Sequence, residues 1–136
     1  MAAEVEQLRL EIRQELTQLR DKLAAFALSE PGAGSDVAGM SCSAQRDGDD
    51  WIINGTKTWI SNAGIADFYT VFARSDDQGG AKGISCFLVE AGTPGFEVTE
   101  RIDLVAPHPL GTLQLTDCRI PASPPVGAEG RGCGIA

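Results

Sequence analysis

The feature that most constrains the fold of this 136-residue chain is a change of hydrophobic period near residue 25. Residues 2–24 contain neither Gly nor Pro and are rich in Glu, Gln, Leu and Arg. Val5, Leu8, Ile12, Leu16, Leu19 and Leu23 recur at spacings of three and four. At about 100° per residue they form a stripe of roughly 80°, with Leu10 outside it. The spacing predicts an amphipathic helix over residues 1–24. A seam this narrow suits either the face of a neighbouring sheet or a second copy of itself in a coiled coil, the basis for expecting a homo-oligomer through the helix. The mixed charges of the polar face argue against a membrane surface.

From residue 25 the chain breaks into short β-rich runs separated by Gly, Pro, Asp and Asn clusters. Phe26–Leu28, Ser41–Arg46, Trp51–Ile53, Thr58–Ser61, Phe68–Arg74, Ile84–Glu90, Gly95–Thr99, Thr112–Thr116 and Cys118–Ile120 read as strands. Asp47–Asp50 and Gln78–Gly80 read as turns, and Asn54–Gly55 carries the chemistry of a hairpin turn. The pattern predicts a mainly β domain over residues 25–136. Its expected form is an antiparallel sheet closed into a barrel or folded as an orthogonal sandwich, preceded by the one N-terminal amphipathic helix. The helix runs from Lys22 through Ala25 into Phe26 with no breaker, so the two segments meet without turn chemistry.

Composition narrows the partners. A formal net charge of −8 with no Lys/Arg cluster argues against nucleic acid. Cys42, Cys86, Cys118 and Cys133 are scattered with no C-x-x-C pair, and the chain has a single histidine, so neither a zinc site nor a disulfide framework is indicated. Cys42, Cys86 and Cys118 lie in strand-like runs and read as reduced core thiols. No secretory apolar region or membrane-length apolar run is present. The expectation is a soluble intracellular protein, cytoplasmic or in the mitochondrial matrix, without a membrane partner.

Two stretches are candidates for chemistry. In Phe26–Asp36 a strand breaks at Pro31 into a Gly-rich turn with exposed backbone N–H groups. Gly32 and Gly34 can take conformations closed to other residues and let a ligand approach the backbone. Ser29 and Ser35 add hydroxyls, and Asp36 can fix the turn. The dinucleotide fingerprint fails, because Gly39 is displaced and no helical period follows. As a bare glycine loop, an ordinary structural turn is the better reading. In Asn54–Asn62, Trp59 and Ser61 lie two apart and share one face of a strand. An indole beside a hydroxyl suits a flat aromatic ligand with a hydrogen-bonding nitrogen at its edge. Taken alone, a core tryptophan with a satisfied serine is the better reading here too.

Together, Ser29-Glu-Pro-Gly-Ala-Gly-Ser-Asp36 and Asn54-Gly-Thr-Lys-Thr-Trp-Ile-Ser-Asn62 closely resemble the acyl-CoA dehydrogenase family. The resemblance continues through Phe87-Leu-Val-Glu-Ala-Gly-Thr-Pro-Gly-Phe96, Asp117-Cys-Arg-Ile-Pro121 and Gly127-Ala-Glu-Gly-Arg-Gly132. It covers about residues 25–136 and implies the family's middle β-barrel domain. It also implies FAD as cofactor and α,β-dehydrogenation of an acyl-CoA thioester as the parent reaction, with hydride passing to flavin N5. By resemblance, Phe26, Ala27, Leu28, Ser29, Glu30, Pro31, Gly32, Ala33, Gly34 and Ser35 line the flavin, and Ser35 also touches the CoA portion of the substrate. Trp59, Ile60 and Ser61 pack near the ring, the Ser61 hydroxyl toward N5. Lys57 and Asp36 read as structural.

Two departures qualify this. Where the family often carries an Arg-x-Ser type segment, this chain has Val105-Ala-Pro-His-Pro-Leu-Gly111, and His108 reads as a solvated loop residue. The family's catalytic carboxylate and its flanking helical domains have no counterpart in these 136 residues, so no catalytic residue is assigned. The chain is expected to be inactive in isolation. The rival expectations are a non-catalytic flavin- or CoA-binding module, or one that recruits a partner through its helix, or an inert fragment.

Overall fold

The computed structural model describes residues 2–20, 22–76, 79–121, 125, 129–130 and 132, with 15 and 18–20 described by their backbone only. Among the described residues a long α-helix, α1 (Ala2–Arg20), is followed by seven strands, with short 3-10 turns at Val37–Gly39 and Gly80–Gly83: β1 (Ala24–Ala27), β2 (Ser43–Asp47), β3 (Asp50–Ser61), β4 (Phe68–Arg74), β5 (Ile84–Glu90), β6 (Phe96–Arg101) and β7 (Leu110–Ile120). The runs expected at 68–74 and 84–90 form β4 and β5 with the same limits. Gln78 of the expected turn, Cys133, and Gly127, Ala128 and Arg131 of the closing motif fall outside the described residues.

The mainly β class is as expected, but the arrangement differs in two ways. The sheet is mixed: β1 and β2 both run parallel to β4, β1 along residues 68–71 and β2 meeting Arg74 through Ser43, while β2–β3, β3–β7, β6–β7 and β4–β5 are antiparallel. It also curls without closing: among the described residues β5 pairs only with β4 and β6 only with β7. The cause of the parallel pairing is local. The chain leaves the sheet after Ala27, makes an excursion over residues 28–42, and rejoins the same edge of β4 still running in the original direction.

The inward faces of the curled sheet enclose one core, in which Trp51, Ile53, Tyr69, Val71, Phe87 and Leu113 are at most 2% exposed. Each such side chain contributes roughly 1.5–3 kcal/mol by leaving water. A second, smaller core lies on the outer face of β4 and β5, where the 28–42 excursion lays Ala33 and Met40 over Phe72, Ile84 and Cys86. Cys42, Cys86 and Cys118 are free and buried, and burial pushes the Cys42 and Cys86 thiols up to about 11, far from reactive thiolates.

Asn54–Gly55 is not a hairpin turn, because β3 runs straight through it. Opposite lies a bulge in β7, where Asp117 has a φ of 44°. The Asn54 amide spans that bulge, accepting from the Asp117 N–H at 2.8 Å and donating to the Asp117 carboxylate at 3.2 Å. Gly55 is required by a close approach, since a Cβ there would sit 2.7 Å from the Cys42 Cα. The Asn–Gly pair thus serves a long bulged strand rather than a chain reversal.

The helix does not lie on the sheet. Val5, Leu8, Ile12 and Leu16 are 48–60% exposed. Of the two surfaces that its seam suits, the sheet is therefore excluded.

Candidate functional site

The site is organised around the point where β1 and β2 part. A break in a sheet edge leaves backbone groups without ladder partners, and buried polar groups must be satisfied. Here a buried ion pair does it. Lys57 Nζ donates to Glu30 Oε2 at 2.7 Å and to the Leu28 carbonyl at 3.1 Å. Glu30 Oε1 accepts from the Ser41 N–H at 2.7 Å, and Oε2 accepts from the Cys42 N–H at 3.1 Å. Both side chains are at most 2% exposed. Burial pushes the Glu30 carboxyl up. The Lys57 hydrogen bond and charge, with the Ser41 and Cys42 amides, outweigh it and hold the group below its ordinary value. Because β3 is continuous, Lys57 lies at an inward position in phase with Trp51 and Ile53, where a charge needs a partner; the hairpin turn expected at Asn54–Gly55 hid that phase from the sequence.

This plug fixes the excursion against β3. Thr58 N–H donates to the Ser29 carbonyl at 2.9 Å, and Glu30 and Ala33 exchange backbone hydrogen bonds of 3.3 and 3.2 Å across the Pro31–Gly32 turn. Neither Gly32 nor Gly34 has a positive φ, so backbone strain does not explain them. A Cβ on either would meet nothing within 4 Å, so crowding within the chain does not explain them either. What the two glycines leave is open space in front of the turn.

Across from the turn, β3 carries an extra residue. The pairing steps from Lys57↔Leu113 to Ile60↔Gly111, and Trp59 takes a φ of 59°. The bulge reverses the inward–outward alternation, so that Ile60 points into the core at 1% exposed and Trp59 points out at 59%. The core tryptophan is Trp51, and the reading of Trp59 as a core residue is overturned by the bulge. Ser61 is exposed on the same face as Trp59, and its Oγ lies 3.0 Å from His108 Nε2. His108, expected only to be solvated, thus has a partner that no sequence signal indicated.

The thirteen residues singled out from the sequence divide by direction. Phe26 is 50% exposed, its ring centroid 4.9 Å from that of Phe72. Leu28 and Ser29 are half-buried, and Pro31, Gly32, Gly34, Ser35, Trp59 and Ser61 are exposed. Ala27, Glu30, Ala33 and Ile60 are buried, so a ligand on the outer face meets only their backbone. The exposed members supply an indole, a phenyl ring, hydroxyls and turn amides, and the Thr58–Ser29 hydrogen bond joins the two segments that carry them. Their chemistry fits a flat heteroaromatic ring with polar edge atoms.

The comparisons agree on one family. The model of the acyl-CoA dehydrogenase middle domain matches residues 25–118. The mitochondrial isobutyryl-CoA dehydrogenase of Dictyostelium discoideum is 41% identical over 118 residues, 85% of this chain and 28% of that protein. The solved butyryl-CoA dehydrogenase of Megasphaera elsdenii superposes with a TM-score of 0.80 at 39% identity, over 84% of this chain and 30% of that one. A structure described as the FAD complex of PigA matches at the same TM-score and 40% identity, also over 84% of this chain and 30% of that one. FAD is accordingly the cofactor that family resemblance associates with this fold. The chain spans less than a third of the length of these relatives. It belongs to the acyl-CoA dehydrogenase family and carries that family's middle domain.

Proposed function

We propose that the outer face of β3 and the Pro31–Ser35 turn form one wall of the flavin site of an acyl-CoA dehydrogenase. The observation that carries this reading is Trp59: a bulge turns a large aromatic side chain into solvent beside a serine, at a cost in burial that folding alone does not require. Bound there, the flavin would accept the β-hydride in α,β-dehydrogenation of an acyl-CoA thioester. The chain's own residues bind and orient. Trp59 and Phe26 offer apolar faces, Ser61 and Ser29 polar contacts at the ring edge, and Ser35 a hydroxyl toward the CoA portion. A donor at the Ser61 position meets charge as it arrives on a ring nitrogen. Removal of the α-proton needs a free carboxylate, and the one within the wall segment, Glu30, is buried and held by Lys57. The wall therefore positions and does not act as base, and the 136-residue chain is expected to show no acyl-CoA turnover above a no-enzyme control.

An open wall encloses little of its ligand, and affinity follows enclosure and pre-organisation. In a fluorescence titration of the isolated chain FAD is expected to bind no more tightly than roughly micromolar, down to no detectable binding. Trp59→Ala should abolish that binding, and Ser61→Ala should weaken it by about 0.5–1.5 kcal/mol, one neutral hydrogen bond. Nanomolar binding would overturn the reading as a fragment that offers one open wall, and micromolar binding indifferent to Trp59→Ala would overturn the site assignment. The reading as an inert fragment is favoured only if no FAD contact is detected at millimolar concentration.

Residues 1–24 and 25–136 are proposed as separate units, the first pairing with a second copy of itself. The half-exposed Val5, Leu8, Ile12 and Leu16 supply the seam. Glu4, Glu6 and Glu11 lie toward one end and Arg13, Arg20 and Lys22 toward the other, with Arg9, Glu15 and Asp21 as exceptions, so antiparallel pairing brings unlike charges together. Leu16→Asp is expected to convert the oligomer to monomer in sedimentation while leaving the melting temperature of the β-domain in place. A wild-type chain already monomeric at high micromolar concentration would remove the proposal. Among the described residues no helix is long and apolar enough to cross a membrane. The proposed location is intracellular, by likeness to relatives such as the mitochondrial one.

A further inference from the structure

Ser61 Oγ and His108 Nε2 are 3.0 Å apart on the exposed face that carries Trp59. The contact is held from both sides of the 103–109 loop. Ile102 N–H donates to the Leu110 carbonyl at 2.8 Å, and Asn62 N–H, next to Ser61, donates to the Pro109 carbonyl at 2.9 Å. Pro107 and Pro109 flank the histidine and restrict the backbone around it. A loop closed at its base and stiffened at its tip delivers one imidazole nitrogen to one hydroxyl.

A serine has a single proton to donate, and a neutral imidazole carries its proton on one nitrogen or the other. With the proton on Nδ1, Nε2 is bare, Ser61 donates to it, and Oγ shows only lone pairs to a ligand. With the proton on Nε2, His108 donates to Oγ, and the serine proton is free for an acceptor. We propose that His108 is a positioning residue whose tautomer sets whether Ser61 presents a donor or an acceptor to the ring nitrogen of a bound heteroaromatic. The inference rests on the flavin-facing reading of the wall and extends it. A bare ring nitrogen selects the second arrangement, and one that carries hydrogen selects the first. The same serine can thereby match the oxidised and reduced forms of a flavin edge without movement of the backbone. By linkage, each form must bias the histidine as strongly as the histidine favours that form.

His108 is the only histidine in the chain, so its ring nitrogens can be assigned without ambiguity. The test is the ring-nitrogen NMR spectrum of the 15N-labelled chain, alone and with millimolar lumiflavin, oxidised or reduced by dithionite. The expected result is a shift of the Nε2 resonance in Ser61→Ala, and opposite shifts in tautomer balance with the two forms of lumiflavin. Those shifts should be lost in Ser61→Ala and kept in Ser61→Thr. An Nε2 resonance identical in wild type and Ser61→Ala overturns the pairing. Lumiflavin that moves the Trp59 indole while both redox forms leave the same tautomer balance overturns the positioning role. Lumiflavin that moves neither, with the Ser61→Ala shift intact, overturns the flavin reading and the ligand half of the proposal, leaving only a structural pair.

Discussion

Replacing Lys57 by methionine is expected to destabilise the domain by about 3–5 kcal/mol, the cost of leaving a buried charge without its partner. Methionine matches the length of the lysine stem, so the loss is electrostatic rather than a cavity. The Glu30 carboxylate would then keep the Ser41 and Cys42 amides but lose its counter-charge, and the Leu28 carbonyl would lose its donor. Urea denaturation measures the effect, and a midpoint within error of wild type would contradict the role given to the pair. The pH dependence has a definite sign. Burial raises the Glu30 carboxyl, but Lys57 and the amides lower it further, so the folded value lies below the unfolded one. The stability Glu30 contributes is therefore present above the ordinary glutamate range and lost as pH falls through its depressed value. In Lys57→Met burial is opposed only by the amides, and the acid limb of stability should begin at higher pH.

The second large effect separates the two tryptophans. Trp51 is 2% exposed, its ring centroid is 5.1 Å from that of Phe87, and the Arg46 guanidinium lies 4.7 Å from the Trp51 ring centroid. Trp51→Ala is expected to cost about 3–5 kcal/mol, the range for deleting a large buried aromatic side chain. Trp59→Ala removes a side chain that faces solvent and should change stability by no more than about 0.5 kcal/mol, as for surface positions generally. Thermal or urea melts of the two variants decide it. Equal or reversed costs would mean that the bulge at Trp59 is misassigned and that the outer face is not a free wall.

The same two residues show what the sequence could disclose. Strand β4 and strand β5 were legible because Phe68–Arg74 and Ile84–Glu90 are apolar runs bounded by turn residues. The Trp59–Ser61 motif was legible only as a resemblance. Taken alone it read better as a core tryptophan, and the bulge that turns Trp59 outward leaves no local mark in the residue types. Asn54–Gly55 misled for a related reason: the positive-φ chemistry of a hairpin also suits a bulged strand pressed against Cys42. The parallel contacts of β1 and β2 with β4 depend on where the chain rejoins the sheet after the 28–42 excursion, which no local signal records. The Glu30–Lys57 pair spans 27 residues, and while Lys57 read as structural by resemblance, no local signal named its partner.

The claim at the centre is that the exposed side of β3 and the Pro31–Ser35 turn face a flavin. Following an FAD titration of the chain residue by residue by amide and indole NMR tests it most directly. The account predicts that millimolar FAD moves the Trp59 indole and the amides of Ser29, Gly32, Gly34, Ser35 and Ser61, while the Trp51 indole stays in place. Shifts confined to another surface, such as the groove lined by Leu88, Thr93 and Pro121, or none at all at that concentration, would contradict it.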